Sequence, residues 1–218
     1  MNPLNIDIVK TLYFNLKYLP LNQALKFPIF IYRKVKFNRL KGGINFNTPN
    51  IKYGMVKIGK QILGNTDCRY TRTILEIDGS ITLRGNVVIG QGTKLTVGKN
   101  AMLNIGENFC VTGGNTTIIC NKNITFGNDC LLSWDILLMD TDFHKILDKN
   151  GIRLNDDIPI HIGNHVWIGC RNTILKGVNI GDNNVIAADS TIVKSANVEN
   201  SIIGSNSKIF KKNINWER

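Results

Sequence analysis

His144 is preceded at alternate positions by Asp142 and Asp140, so in an extended strand the three side chains would share one face. An imidazole, whose ordinary pKa is about 6.5, accepts a proton from a hydroxyl as that hydroxyl attacks a second reactant, with typical gains of about 10²–10⁴-fold. A neighbouring carboxylate holds the ring in one tautomer or binds acceptor hydroxyls; the plainer reading of Asp142 is a carboxylate that stabilises its turn. Two other histidines, His161 and His165, lie four positions apart. The five cysteines (Cys68, Cys110, Cys120, Cys130, Cys170) are odd in number and form no CxxC pair, which suits buried thiols in a reducing, cytoplasmic setting. Nothing adjacent to Cys170 would activate it as a nucleophile.

The segment that carries His144 interrupts a regular pattern. Downstream, Ile162, Ile168, Ile174, Ile180, Ile186, Ile192 and Val198 recur at a spacing of six. That period matches neither a helix face nor one long alternating strand. It matches very short strands joined by tight turns, each giving one aliphatic residue to a shared interior. Upstream, Ile77, Leu83, Ile89 and Leu95 keep the same spacing, and further runs follow after register shifts; residues 65–76 lose the period and are expected to bulge outward. Residues 142–158 hold seven charged residues besides His144 and the turn signal Asn150-Gly151, a polar excursion from the repeat. The expected fold is all-β, a parallel β-helix, with a basic N-terminal cap segment at 1–41, the coil at 42–212 and a tail at 213–218.

Formal net charge is +11, which asks for an anionic partner. The excess is concentrated in residues 1–41, where Lys10, Lys17, Lys26, Arg33, Lys34, Lys36, Arg39 and Lys41 face a single acid, Asp7. No nucleic-acid motif accompanies the charge, so nucleic acid is not expected as a partner. Leu4, Ile8, Leu12, Leu16 and Leu19 follow a helical spacing before Pro20. Two readings stand: an amphipathic surface lying on an anionic membrane, or a cap whose apolar face closes the open end of the coil. No apolar run is long enough to cross a bilayer, and charges interrupt anything resembling a signal peptide, so a cytoplasmic protein is expected, at most at the inner face of the membrane.

Residues 124–212 resemble the bacterial hexapeptide-repeat acyltransferases, which include galactoside, maltose and polysaccharide O-acetyltransferases. The resemblance rests on ThrAspPheHisLysIle at 141–146, IleGlyAsnHisValTrpIleGlyCys at 162–170, IleLeuLysGlyValAsnIleGly at 174–181 and AlaAlaAspSerThrIleValLys at 187–194. It implies a left-handed coil, a homotrimer with sites between subunits, and direct acetyl transfer from acetyl-CoA to a sugar hydroxyl of a surface polysaccharide or its precursor, with no metal. By the same resemblance His144 is the general base and Trp167 lines the cleft near the acceptor, the plainer reading of Trp167 being an aromatic that packs a trimer. The alternation of positions 140, 142 and 144 adds Asp142 as partner of the imidazole and Asp140 as a contact for acceptor hydroxyls. Gly169, Cys170, Ala187, Ala188, Val193 and Lys194 line the groove for the pantetheine arm, and Lys208 lies near the phosphates, with Lys211 and Lys212 in reach. The family's usual GlyAsnProAla stretch is here Gly204-Ser205-Asn206-Ser207, without the proline. N-acetylation of an amino sugar is the nearest alternative. Below it stand a zinc enzyme resembling gamma-class carbonic anhydrases, whose histidine pair is spaced five rather than four apart, and a non-catalytic scaffold.

Overall fold

A computed structural model describes residues 5–64 and 66–218. Three sheets, parallel except for the last strand of the first, wrap one interior. The first face has nine strands, the second seven and the third six, and successive strands in the chain visit the faces in rotation. Among the described residues this gives six complete three-strand coils, from Ile29–Ile31 to Asn179–Ile180, and a shortened seventh. The period of six is the length of one face plus its turn. Ile162, Ile168, Ile174, Ile180, Ile186 and Ile192 are all at most 3% exposed, so each rung contributes one aliphatic residue to the core as its spacing requires.

Buried asparagines fasten the corners. Asn184 donates to the carbonyls of Gly181 and Val198 at 2.9 and 2.6 Å and accepts from the Ser201 N–H, and Asn172, two corners earlier, donates to the Gly169 carbonyl and accepts from the Ser190 N–H. Each satisfies backbone groups that a turn would otherwise leave unpaired in the core. At the corner between the first and second faces, a Cβ on Gly169 would sit 2.8 Å from the Ile186 carbonyl oxygen and 2.9 Å from the Ala188 nitrogen. Glycine is therefore required there by the stacking of the coils themselves.

The coil starts earlier than the sequence suggests. Ile29–Ile31 and Val35–Leu40 are its first two strands, so a boundary at residues 41/42 falls inside the first coil. The remaining cap is a helix, α1 (Ile8–Tyr18), opened by Asp7, whose carboxylate accepts from the Lys10 N–H at 3.0 Å. Its inward face is not the leucine stripe. Thr11, Phe14 and Asn15 point to the coil, and Phe14 stacks on Phe37 at 5.5 Å. Asn15 exchanges hydrogen bonds with the Ile29 backbone, donating at 2.7 Å and accepting at 3.2 Å, while Thr11 accepts from the Ile31 N–H at 3.0 Å. Two polar side chains thus replace a neighbouring strand on an exposed sheet edge. Of the helical stripe Leu4, Ile8, Leu12, Leu16 and Leu19, only Leu19 is buried in the core; Ile8, Leu12 and Leu16 lie on the solvent side, and Leu4 is outside the described residues.

The other end closes differently. Lys208–Lys212 turns back antiparallel on Ser201–Gly204 rather than adding a rung. The tail then runs along the third corner. Trp216 stacks on His165 at 4.2 Å, and Arg218 donates to the carbonyls of Asn108 and Cys130 at 2.6 and 2.8 Å.

Candidate active site

The chain leaves the coil at the second corner, after Leu137–Met139, and returns at Ile160–Ile162. Asp140 anchors the departure. It is 0% exposed, and its carboxylate accepts from the N–H groups of Asn121, Lys122 and Asn123 at 2.6, 2.9 and 2.7 Å. Three charge-assisted bonds occupy both oxygens, so the expectation that Asp140 meets an acceptor does not hold. Nor do residues 140–144 form a strand with one shared face, because Phe143 turns through a positive φ of 60°.

Beyond Asp140 the excursion is tied down by its own polar residues. Thr141 donates to Asp157 at 2.7 Å, which also takes a bond from Asn121 at 2.6 Å and from Arg153 at 3.3 Å. Asn155 is the clamp around His144. Its amide donates to the His144 carbonyl and to the Asp142 carboxylate, both at 2.8 Å, and its oxygen accepts from the Ile146 N–H at 2.7 Å. The His144 N–H donates to the Asp142 carbonyl at 2.6 Å. The backbone on both sides of His144 is fixed while the side chain stays exposed. The Asp142 carboxylate pairs with Lys176 at 2.5 Å. The bonds from Lys176, and then from Asn155, hold its pKa below the ordinary carboxylate value. The carboxylate bonds to these two side chains and not to the imidazole. Asn155 and Lys176 were not singled out from the sequence; they are 11 and 32 residues from His144, and only folding brings them to it.

The remaining expected site residues are spread over the first face, the first and second corners and the final strand. Trp167 is on the first face, 37% exposed and outside the core, its indole N–H donating to the Ser133 hydroxyl at 3.1 Å. Cys170 is half-buried and Ala188 exposed at the first corner, beside a bidentate Arg171–Asp189 pair at 2.6 Å. Ala187 is half-buried beside Ala188, whereas Gly169 is buried under the next coil and its smallness is already spent on packing. Val193 and Lys194 are exposed at the second corner, one coil beyond Leu175 and Lys176. Lys208 lies on the final antiparallel strand, its ammonium 5.9 Å from the Phe210 ring.

The three histidines do not converge: His161 points outward from the third face and His165 is committed to Trp216, its Nε2–H donating to the Trp216 carbonyl at 3.0 Å. Among the described residues no group of three His, Cys, Asp or Glu is arranged to hold a metal ion. All five cysteines are free, and burial pushes the Cys120 and Cys130 thiols up to about 12, which makes them inert packing.

Comparison with known proteins agrees with this architecture. Residues 159–194 match the bacterial transferase hexapeptide family over six repeats. The polysialic acid O-acetyltransferase of Neisseria meningitidis is 34% identical over 147 residues, which cover 62% of this chain and 68% of that protein. The enzyme of the same name from Escherichia coli O1:K1 is 28% identical over 138 residues, 62% of this chain but only 42% of its own length. In three dimensions the polysialic acid O-acetyltransferase OatWY superposes with a TM-score of 0.53 at 26% identity, covering 84% of this chain and 91% of that one. The chain belongs to the hexapeptide-repeat acyltransferases, and its coil is the left-handed β-helix of that family.

Proposed function

We propose that the protein is an acetyl-CoA-dependent O-acetyltransferase acting on a sugar hydroxyl of a surface polysaccharide or its precursor, with His144 as general base. The observation that carries this reading is the Asn155 clamp, which holds the backbone on both sides of His144 and leaves its ring exposed. The imidazole takes the proton of the sugar hydroxyl as its oxygen attacks the thioester carbonyl carbon. The tetrahedral oxyanion needs N–H donors. Collapse breaks the C–S bond, the imidazolium returns the proton to the sulfur, and the products are an acetyl ester and free CoA.

The donor would lie along the coil edge, its arm against Cys170, Ala187 and Ala188 and its phosphates near Lys194 and Lys208. In one chain Cys170, Ala187 and Ala188 lie at the first corner, whereas His144 leaves from the second, the corner that also carries Lys194. The reading therefore includes a homotrimer in which the His144 loop of one subunit faces the donor groove of its neighbour. Two features support such packing. Phe143, Ile146, Leu147, Ile152 and Leu154 are all more than half exposed on the excursion, and the second face beside it presents Ile119, Met139 and Leu175 outward in register. Such a patch on a soluble chain marks an interface. Action on a cytoplasmic precursor at the inner face of the membrane fits this scheme, and among the described residues no helix is long and apolar enough to cross a membrane.

His144→Ala is expected to lower acetyl transfer by about 10²–10⁴-fold with an unchanged melting curve, since the side chain is exposed. Turnover near the parent value, measured as CoA release with an acetylated glycan confirmed by mass spectrometry, would remove His144 from the chemistry.

A further inference from the structure

The helix that caps the coil has a second apolar face. Around α1, Ile8, Val9, Leu12, Tyr13 and Leu16 form one continuous stripe opposite Thr11, Phe14 and Asn15, and they are 79, 77, 45, 50 and 49% exposed. Leu21 of the following short helix, Leu21–Ala24, and Leu25 at its C-cap add apolar surface at 65 and 64% exposure. Beside it runs an open apolar groove of about 450 Å³, lined by Ile8, Leu12, Phe27, Phe30 and Tyr53 among others. So much contiguous apolar surface at one end of a stack is costly in water and calls for a partner. The cap itself does not need it, because Phe14, Asn15 and Thr11 already seal the first strand.

Charge says what the partner is. Lys17 lies on the same helix beyond Tyr13 and Leu16, Lys26 follows Leu25, and Arg33, Lys36 and Lys41 are exposed on the first coil and just beyond it. None of these five is in an ion pair among the described residues. A short apolar stripe bordered by lysines is the arrangement that lies in the plane of an anionic bilayer, with the apolar side chains among the acyl chains and the ammonium groups at the headgroups. We infer that this end of the molecule docks on an anionic membrane through the outer face of α1 and the Leu21–Ala24 helix, with the coil standing up from the surface.

The docking sets a height for the site. The excursion carrying His144 leaves the fifth strand of the second face, four strand spacings from the first, or about 19 Å along the coil. With the thickness of α1 added, His144 stands roughly 30 Å above the lipid plane. On the acetyl-transfer reading, and resting on it, the acceptor is then a glycan chain reaching out from the membrane rather than a lipid headgroup.

The test is co-sedimentation of the full chain with phosphatidylcholine vesicles, with and without phosphatidylglycerol. Binding to the phosphatidylglycerol vesicles should be at least about tenfold tighter and weaken as salt is raised. Val9→Glu/Leu12→Glu/Leu16→Glu, all exposed positions, should reduce it by about tenfold or more with the fold unchanged by circular dichroism. His144→Ala should bind vesicles like the parent, so a failed chemistry and a failed docking are told apart. The inference is overturned if the parent ignores anionic vesicles at low salt or if the triple variant binds as tightly as the parent. It is equally overturned if the triple variant only lowers the oligomeric mass in light scattering, which would make the stripe a contact between copies of the chain.

Discussion

Among the described residues two segments leave the coil, and they are held in opposite ways. Residues 61–64 and 66–72 depart at the first corner of the second coil and are fastened mainly through their backbone: Gln91 donates to the carbonyls of Cys68 and Thr71 at 3.1 and 2.8 Å, and Lys34 to that of Arg69 at 2.9 Å. Within them Asp67 caps its own turn by accepting from the Arg69 N–H at 2.9 Å. They roof a cavity of about 210 Å³ whose lining includes Leu63, Asp67, Asn115 and Trp134. Residues 140–159 are fastened by their side chains to the coil and to each other, from the three bonds on Asp140 to the Lys176–Asp142 pair. Backbone bonds from outside fix where a loop lies. Side-chain bonds from within fix how one residue is presented, and that is the requirement for a catalytic group, which must be held to within a fraction of an ångström.

The sharpest way to break the contrast is at Asp140. Asp140→Ala leaves three buried N–H groups without their acceptor and should cost about 3 kcal/mol or more. Urea unfolding would show this, and a loss under 1 kcal/mol would mean the anchor is dispensable. Asn155→Ala comes next. It frees the His144 carbonyl and the Asp142 carboxylate together, so transfer should fall by about 10–100-fold, while the melting temperature, set by the coil, moves by only a few degrees. Equal falls in activity and global stability would show that the clamp serves folding rather than presentation. The smallest effect is expected in the other excursion. Gln91→Ala removes two bonds to carbonyls and should cost about 1–2 kcal/mol, with the acetyl-transfer rate unchanged; a large fall in rate would mean that residues 61–64 and 66–72 take part in the site.

The residues of the coil were legible because burial in a repeat is local. A strand of a few residues must place alternate side chains inside, so Ile168 or Ile186 announces its position by spacing alone. Trp167 was legible in the same way, as an outward position between inward ones. Asp140 was misread for a related reason: alternation with Asp142 and His144 suggested a shared face, but the chain had already reached its corner, and the carboxylate turned inward to a row of N–H groups 17 to 19 residues earlier. Asn155, Lys176 and Trp216 gave no local signal, since an asparagine in a polar loop or a tryptophan in a tail acquires meaning only from what folding sets beside it.

The amino-acid sequence by itself determined the coil, its family and the histidine that interrupts it, because each is written in short-range spacing or in a contiguous motif. Only the tertiary structure decided which face of α1 meets the core. The leucine stripe has the helical period of a buried face, yet the first strand offers unpaired N–H and carbonyl groups as well as apolar surface, and Asn15 and Thr11 satisfy both where leucines would satisfy one. The cost of leaving backbone groups unpaired in the core exceeds the gain from burying a leucine. The polar pair therefore faces inward and Ile8, Leu12 and Leu16 face out, while Leu19, just past the helix end, is buried.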